Sequence, residues 1–183
     1  PPPPPPPFSS RRRHTRSLVP SRGLGDVYKR QVFILIGVFY FTGLLERQYN
    51  PNQTLQTRHE GGMREVVLQR NKFGHYVTSG EINGSPVTFM LDTGATGVAI
   101  PGNVAQGLGL ERGRPVQTRT ANGVATSYST TLKRVSVGGI ELKNVWAGIT
   151  PGLQGDQVLL GMTFLKHIEF TQRGDTLILR QHL

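Results

Sequence analysis

Phe89-Met90-Leu91-Asp92-Thr93-Gly94-Ala95-Thr96-Gly97-Val98-Ala99-Ile100-Pro101 sets one carboxylate, a hydroxyl and a glycine between two short apolar runs. An acid at the end of a strand that reads as buried is costly unless partners replace its lost hydration. Thr93 offers a hydroxyl donor, and Gly94 lets the backbone turn tightly and approach a ligand or another chain closely. Asp-Thr-Gly is also good turn chemistry, so the bare tripeptide means little. The apolar frame, with Ala95 and Thr96 next, turns the reading toward catalysis by Asp92, Thr93 and Gly94.

Outward from this stretch the texture is that of an all-β chain. Residues 64–70, 75–82 and 86–91 read as three strands, the last delivering Asp92, with Asn83-Gly84 as a tight hairpin turn. On the other side, 98–100 is a short strand and 103–108 holds at most two helical turns after Pro101. Gly138-Gly139 joins strands at 132–137 and 140–149. Met162 to Lys166 is the other helical candidate, and Phe170 and 177–179 lie in closing strands around the Arg173-Gly174-Asp175 turn. Short strands at this spacing predict a closed or partly closed barrel, and about 120 residues suffice for one core.

The N-terminal third has a different composition. Residues 1–31, from the Pro1–Pro7 homopolymer to Gln31, read as a non-native, adapter-derived or disordered segment and are set aside from fold reasoning. They hold seven Lys or Arg and one acid, +6 of the formal +10; the remaining 152 residues carry +4. A charge of that size suits solubility and is not the footprint of a nucleic-acid binder. Residues 32–45 (VFILIGVFYFTGLL) are uncharged. Fourteen helical residues span about 21 Å, short of the roughly 30 Å hydrocarbon layer, but a start lost upstream makes that a lower bound. The expectation is an uncleaved membrane anchor over 32–45, a polar linker over 46–61 and a catalytic domain over 62–183.

Leu91-Asp92-Thr93-Gly94-Ala95-Thr96 resembles the active-site loop of the retropepsin-like aspartic proteases. Val158-Leu159-Leu160-Gly161 is similar to that family's second marker, an apolar run and a glycine before a short helix. The resemblance extends over residues 62–183 and includes the membrane-anchored bacterial pattern of a hydrophobic helix ahead of the protease domain. It implies a single-domain closed barrel of the acid-protease fold with one or two short helices. It also implies an aspartic endopeptidase acting on polypeptides without cofactor or metal, on the bacterial inner membrane with a single pass and the domain facing the periplasm. Thr93 would hydrogen-bond across a dimer axis, and the Thr96 hydroxyl would serve the surroundings of the carboxylate. The stretch 118–126 would be a flap with its tip at 121–124, so that Ala95, Thr96, Ala121, Asn122 and Gly123 bind substrate; an ordinary exposed hairpin fits that stretch equally well. Gly161 would permit close packing beneath the loop, although a helix-start glycine is an equally simple reading.

Hydrolysis by acids alone needs two carboxylates at one water, one as base and one protonated. So close together they cannot both ionise, and they share a proton, as in the aspartic proteases generally. Asp156 and Asp175 lack the apolar approach and the hydroxyl-glycine exit, so both read as loop residues. The second carboxylate is expected from Asp92 of another copy, in a two-fold homodimer. The rival is a non-catalytic barrel that dimerises or binds peptides in the same groove; a third possibility is an enzyme that cuts its own linker.

Other chemistries lack their residues. The chain has no cysteine, which excludes disulfides and thiol nucleophiles. His59, His75 and His167 are scattered, with no His-Glu-x-x-His helix, and no Gly-x-Ser-x-Gly occurs. Gly107-Leu108-Gly109 misses the dinucleotide spacing, and Trp146 reads as packing.

Overall fold

The apolar run expected at 32–45 lies inside a longer helix, α1 (Leu24–Tyr49). The structure, a computed structural model, describes residues 1–3, 24–120 and 123–183. Its contacts divide it into two units, Pro1–Phe41 and Thr42–Leu183. The helix begins within the segment set aside in the sequence reading, because 26–31 continue the helical run with neither proline nor glycine. Its stretch Tyr28–Tyr49 contains an 18-residue window of mean hydropathy 1.2 and has 22 residues. At 1.5 Å per residue that is about 33 Å, enough to cross a bilayer; a signal sequence has the same properties.

The second unit continues with β1 (Thr57–Glu60), β2 (Met63–Gln69), β3 (Val77–Ile82), β4 (Ser85–Leu91), β5 (Val98–Pro101) and α2 (Gly102–Gly107). There follow β6 (Pro115–Thr120), β7 (Gly123–Val137), β8 (Ile140–Thr150), β9 (Gln157–Leu160), α3 (Met162–Leu165), β10 (Glu169–Arg173) and β11 (Thr176–His182). Asn83 and Gly84 both take positive φ, 53° and 86°, the conformation a two-residue hairpin with right-handed strand twist demands.

Seven strands form one sheet in the order β3-β4-β9-β5-β8-β7-β6. The long β7 also reaches β3 through Glu81–Ser136 and Ile82–Val135, which bends the sheet round on itself. Only those two pairs join its ends, and β5 meets β9 at a single pair, Ala99–Leu159. The barrel expected to be closed is therefore closed only in part. The remaining strands form an antiparallel sheet, β1-β2-β11-β10. On it Arg180 donates to Glu65 at 2.8 Å and lies 3.5 Å from Glu169; the hydrogen bond it donates to Glu65 is the main cause of an upward shift in the Arg180 pKa. Both sheets feed one core, in which Val66, Leu68 and Leu179 lie with Phe89, Ile100, Leu132, Ile149 and Phe164.

The linker expected over 46–61 is corrected. Residues up to Tyr49 are helical, 57–60 are β1, and Asn50 and Asn52 are buried. Asn52 donates its amide to the carbonyls of Gln69 (2.9 Å) and Val77 (2.7 Å) and accepts the Gln69 N–H (2.7 Å). Asn50 accepts the Asn52 N–H at 3.0 Å and donates to Ser79 Oγ at 3.2 Å. Polar side chains are buried here because they satisfy backbone groups where β2 and β3 part.

Candidate active site

Strand β4 places Asp92. It runs parallel to β9 in a register that pairs Thr88 with Gln157 and Leu91 with Leu160, so Asp92 emerges beside Gly161. There the chain turns on itself. Asp92 Oδ1 accepts the Gly94 N–H at 2.9 Å, and its carbonyl accepts the Ala95 N–H at 3.2 Å. The side chain thus nucleates the turn, as aspartate does well, and Asp92 lines the groove beside it.

The far half of the loop is tied to α3. The Ala95 carbonyl accepts the Met162 N–H at 2.9 Å. Thr163 Oγ1 accepts the Val98 N–H at 3.0 Å and donates to the Trp146 carbonyl at 2.9 Å. The two backbones come so close that a Cβ on Gly161 would run into the Gly97 carbonyl and lie 2.6 Å from the Ala95 oxygen. Gly161 has φ −94°, accessible to any residue, so space and not conformation demands glycine here. That decides between the two readings left open from sequence: close packing beneath the loop. On the loop's other side, a Cβ at Gly97 would meet the Trp146 ring at 2.7 Å, so this half-exposed tryptophan covers the loop.

Opposite the loop stands the hairpin β6–β7, paired from Pro115–Tyr128 to Thr120–Gly123. Ala121 and Asn122, expected to bind substrate, lie outside the described residues; Gly123 is exposed at the start of β7. Between hairpin and loop lies a groove of about 580 Å³, lined on one side by Asp92, Gly94, Ala95, Thr96, Gly97 and Ala99 and on the other by Thr118, Val124 and Ala125. Thr150, Gly152, Leu153 and Leu159 complete it. Ser127 Oγ and Thr150 Oγ1, 2.8 Å apart and buried, fix the base of the hairpin to β8. Thr93 is exposed beside the groove and is not among its lining residues.

The sequence-predicted residues Asp92, Gly94, Ala95 and Thr96 come together in this groove. The walls from Thr118, Val124, Ala125, Thr150, Leu153 and Leu159, and the cover by Trp146, had no local signal, because each arrives from a strand distant in sequence. Among the described residues that line the groove, Asp92 is the one carboxylate. Asp156 immediately precedes β9, whose first residue Gln157 pairs with Thr88, about 13 Å back from Asp92 along β4 at 3.3 Å per residue. Asp175 is in the other sheet's turn, 3.4 Å from Arg70. Among the described residues no group of three His, Asp or Glu side chains converges as metal ligands would.

Comparison with known proteins bears on this arrangement. A family model described as "gag-polyprotein putative aspartyl protease" matches residues 78–167, from β3 through α3. An uncharacterised protein from the cobV 5′ region of a Sinorhizobium species is 37% identical over 123 residues, 65% of this chain and 53% of the relative. An uncharacterised protein of Rickettsia prowazekii is 34% identical over 119 residues, 63% of this chain and 51% of the relative. The chain thus spans about half the length of the relatives it matches. Among solved structures, a retropepsin-like aspartic protease from Rickettsia conorii superposes with a TM-score of 0.54 and 30% identity, covering 70% of this chain and 95% of that one.

Proposed function

The chain belongs to the retropepsin-like aspartic proteases, and on that premise we propose that it hydrolyses peptide bonds as a homodimer, with one Asp92 from each copy at the scissile bond. The observation that supports this reading is the groove with a single carboxylate, set beside an exposed Thr93 at the open end of the loop. In the proposed dimer one Asp92 takes a proton from water while the other, protonated, hydrogen-bonds the substrate carbonyl. The Thr93 hydroxyl reaches the partner's loop and fixes the two turns against each other. An extended polypeptide lies between the loops and the β6–β7 hairpin, whose tip, Ala121 to Gly123, closes over it and excludes water. Ala95 and Thr96 contact the substrate on the loop side.

The helical stretch Tyr28–Tyr49 is proposed to anchor the protein in the bacterial inner membrane with the catalytic unit in the periplasm; its length and apolarity support the first part, and the resemblance to anchored bacterial members the second.

The test is subunit mixing. Asp92→Asn should abolish cleavage of a quenched-fluorescence peptide set while leaving the circular dichroism spectrum and the sedimentation coefficient unchanged. Reassorted with an equal amount of wild type, it should leave about one quarter of the activity of the undiluted wild-type enzyme, because only dimers with two intact copies work. One half would mean that each chain acts alone, and activity in the pure variant would remove Asp92 from the chemistry.

A further inference from the structure

Where β2 passes into β3, the chain forms a stiff knuckle that ends in an exposed phenylalanine. Asn71 is buried, and its bonds define the knuckle. Its Oδ1 accepts the N–H groups of Phe73 (3.0 Å) and His75 (2.9 Å), its backbone N–H donates to the His75 carbonyl (2.8 Å), and its carbonyl accepts the Gly74 N–H (3.0 Å). The remaining donor, Nδ2, reaches the Tyr49 carbonyl at 2.9 Å, the last residue of α1. One side chain therefore shapes the turn and ties it to the end of the apolar helix.

Around that bond the contacts repeat. Lys72 Nζ donates to Gln48 Oε1 at 2.7 Å. The Phe73 ring stands edge-on to Tyr49, with centroids 6.3 Å apart, and Lys72 Nζ lies 5.1 Å from the centre of the Phe73 ring. Yet Phe73 remains 58% exposed and Tyr49 45%. The hydrogen-bonded turn thus presents an apolar ring at the surface, with a lysine across its face. Behind the tip is a small polar cleft lined by Arg70, Asn71, Lys72, Gly74 and Asp175, in which Arg70 is already engaged by Asp175 at 3.4 Å.

We infer that the knuckle Asn71–Gly74 is a membrane-docking element, in which Phe73 and Tyr49 enter the headgroup layer and Lys72 engages lipid phosphate. The inference rests on the reading of Tyr28–Tyr49 as a membrane anchor. Continuity decides the occupant: a spanning segment that ends at Tyr49 leaves the bilayer there, and everything bonded to Gln48 and Tyr49 is at its surface. Aromatic rings and snorkelling lysines are the side chains that partition to this layer. The consequence is functional. With Asn50 and Asn52 stitched into the barrel, no free tether separates the end of the helix from the catalytic unit, which works at the membrane surface on polypeptide segments close to it.

The absence of native cysteine makes the test direct. Phe73→Cys, Phe39→Cys and Asp156→Cys, made one at a time, carry a nitroxide in the full chain, reconstituted in nanodiscs of phosphatidylcholine and phosphatidylglycerol. Collision rates with oxygen, which concentrates in lipid, and with a water-soluble nickel chelate report depth. The proposal expects a deep label at 39, an aqueous label at 156 and, at 73, an oxygen-to-nickel ratio several-fold above that at 156. A deep label at 39 with position 73 matching 156 overturns the docking and leaves the anchor standing. Dipolar broadening between labels at 73, lost on dilution with unlabelled chain, would show a second copy on the knuckle and equally overturns it. An aqueous label at 39 removes the anchor and the docking together.

Discussion

Replacing Gly161 by alanine tests how closely the catalytic loop is fastened to α3. The new Cβ would lie 2.6 Å from the Ala95 carbonyl oxygen and collide with that of Gly97, and both obstacles are backbone. Neither can rotate away as a side chain would, so the loop or the start of α3 must move. Overpacking of this kind costs about 2 kcal/mol. The displaced Ala95 carbonyl also loses the 2.9 Å bond from the Met162 N–H, a further loss of about 1 kcal/mol. A total near 3 kcal/mol should lower the melting temperature of a unit this size by roughly 10 °C. Because the loop carries Asp92, kcat/KM should fall at least about tenfold at temperatures where the variant is still folded, since a misplacement of an ångström costs about a hundredfold. Calorimetry in detergent micelles and the peptide assay read the two effects separately. Gly107→Ala, at the end of α2 with open space where its Cβ would stand, is the control and should be neutral or slightly stabilising. A Gly161→Ala protein that melted with the wild type and kept its rate would refute the claim that packing beneath the loop demands glycine.

Gly97→Ala should be milder, about 1 kcal/mol, because its obstacle is the half-exposed Trp146 ring, which can swing outward. The fluorescence of this tryptophan, the single one in the chain, should shift to the red, and adding Trp146→Leu should restore the melting temperature. Asn52→Ala should cost about 2 kcal/mol in thermal unfolding, since it strands the buried Val77 carbonyl and removes the part-buried bonds to the Gln69 N–H and carbonyl; loss below 0.5 kcal/mol would make the segment a linker after all. The rate of peptide cleavage should peak at acidic pH and fall on both sides. Rising pH ionises both members of the pair and removes the acid, falling pH protonates both and removes the base, and a rate flat from pH 4 to pH 8 would contradict a shared-proton pair. Thr93→Val should weaken dimerisation more than folding, and equal sedimentation at all dilutions would exclude its role across the axis.

What was legible in the sequence was what local chemistry determines. Asn83-Gly84 and Gly138 announce their hairpins because few other residues adopt their positive φ, and the apolar run before Asp92 announces a strand by its pattern. The segment 46–61 misled because buried asparagines look like any polar linker, while their partners, Gln69, Val77 and Ser79, lie 17 to 29 residues away. The start of α1 was hidden by setting residues 1–31 aside on composition. For Gly161 the sequence offered two explanations and no means to choose, since the choice depends on the distance to Ala95 and Gly97. The groove walls were invisible for the same reason: Thr118, Thr150 and Leu153 carry no motif and acquire meaning only through the order of strands.

The way the loop is held also bears on why half a site could serve. Asp92 orders its own turn through the Gly94 N–H, and Ala95 and Val98 are fastened by Met162 and Thr163. None of these bonds involves the exposed Thr93 or the second oxygen of Asp92. The carboxylate is thus set in place before any partner arrives, and a second copy would meet a surface that need not be remodelled. Preorganisation of this kind keeps the ordering cost out of association. On the neighbouring strand β9, the position level with Asp92 in the parallel register is Gly161, where a Cβ would run into the Gly97 and Ala95 carbonyls, so that strand offers no second acid.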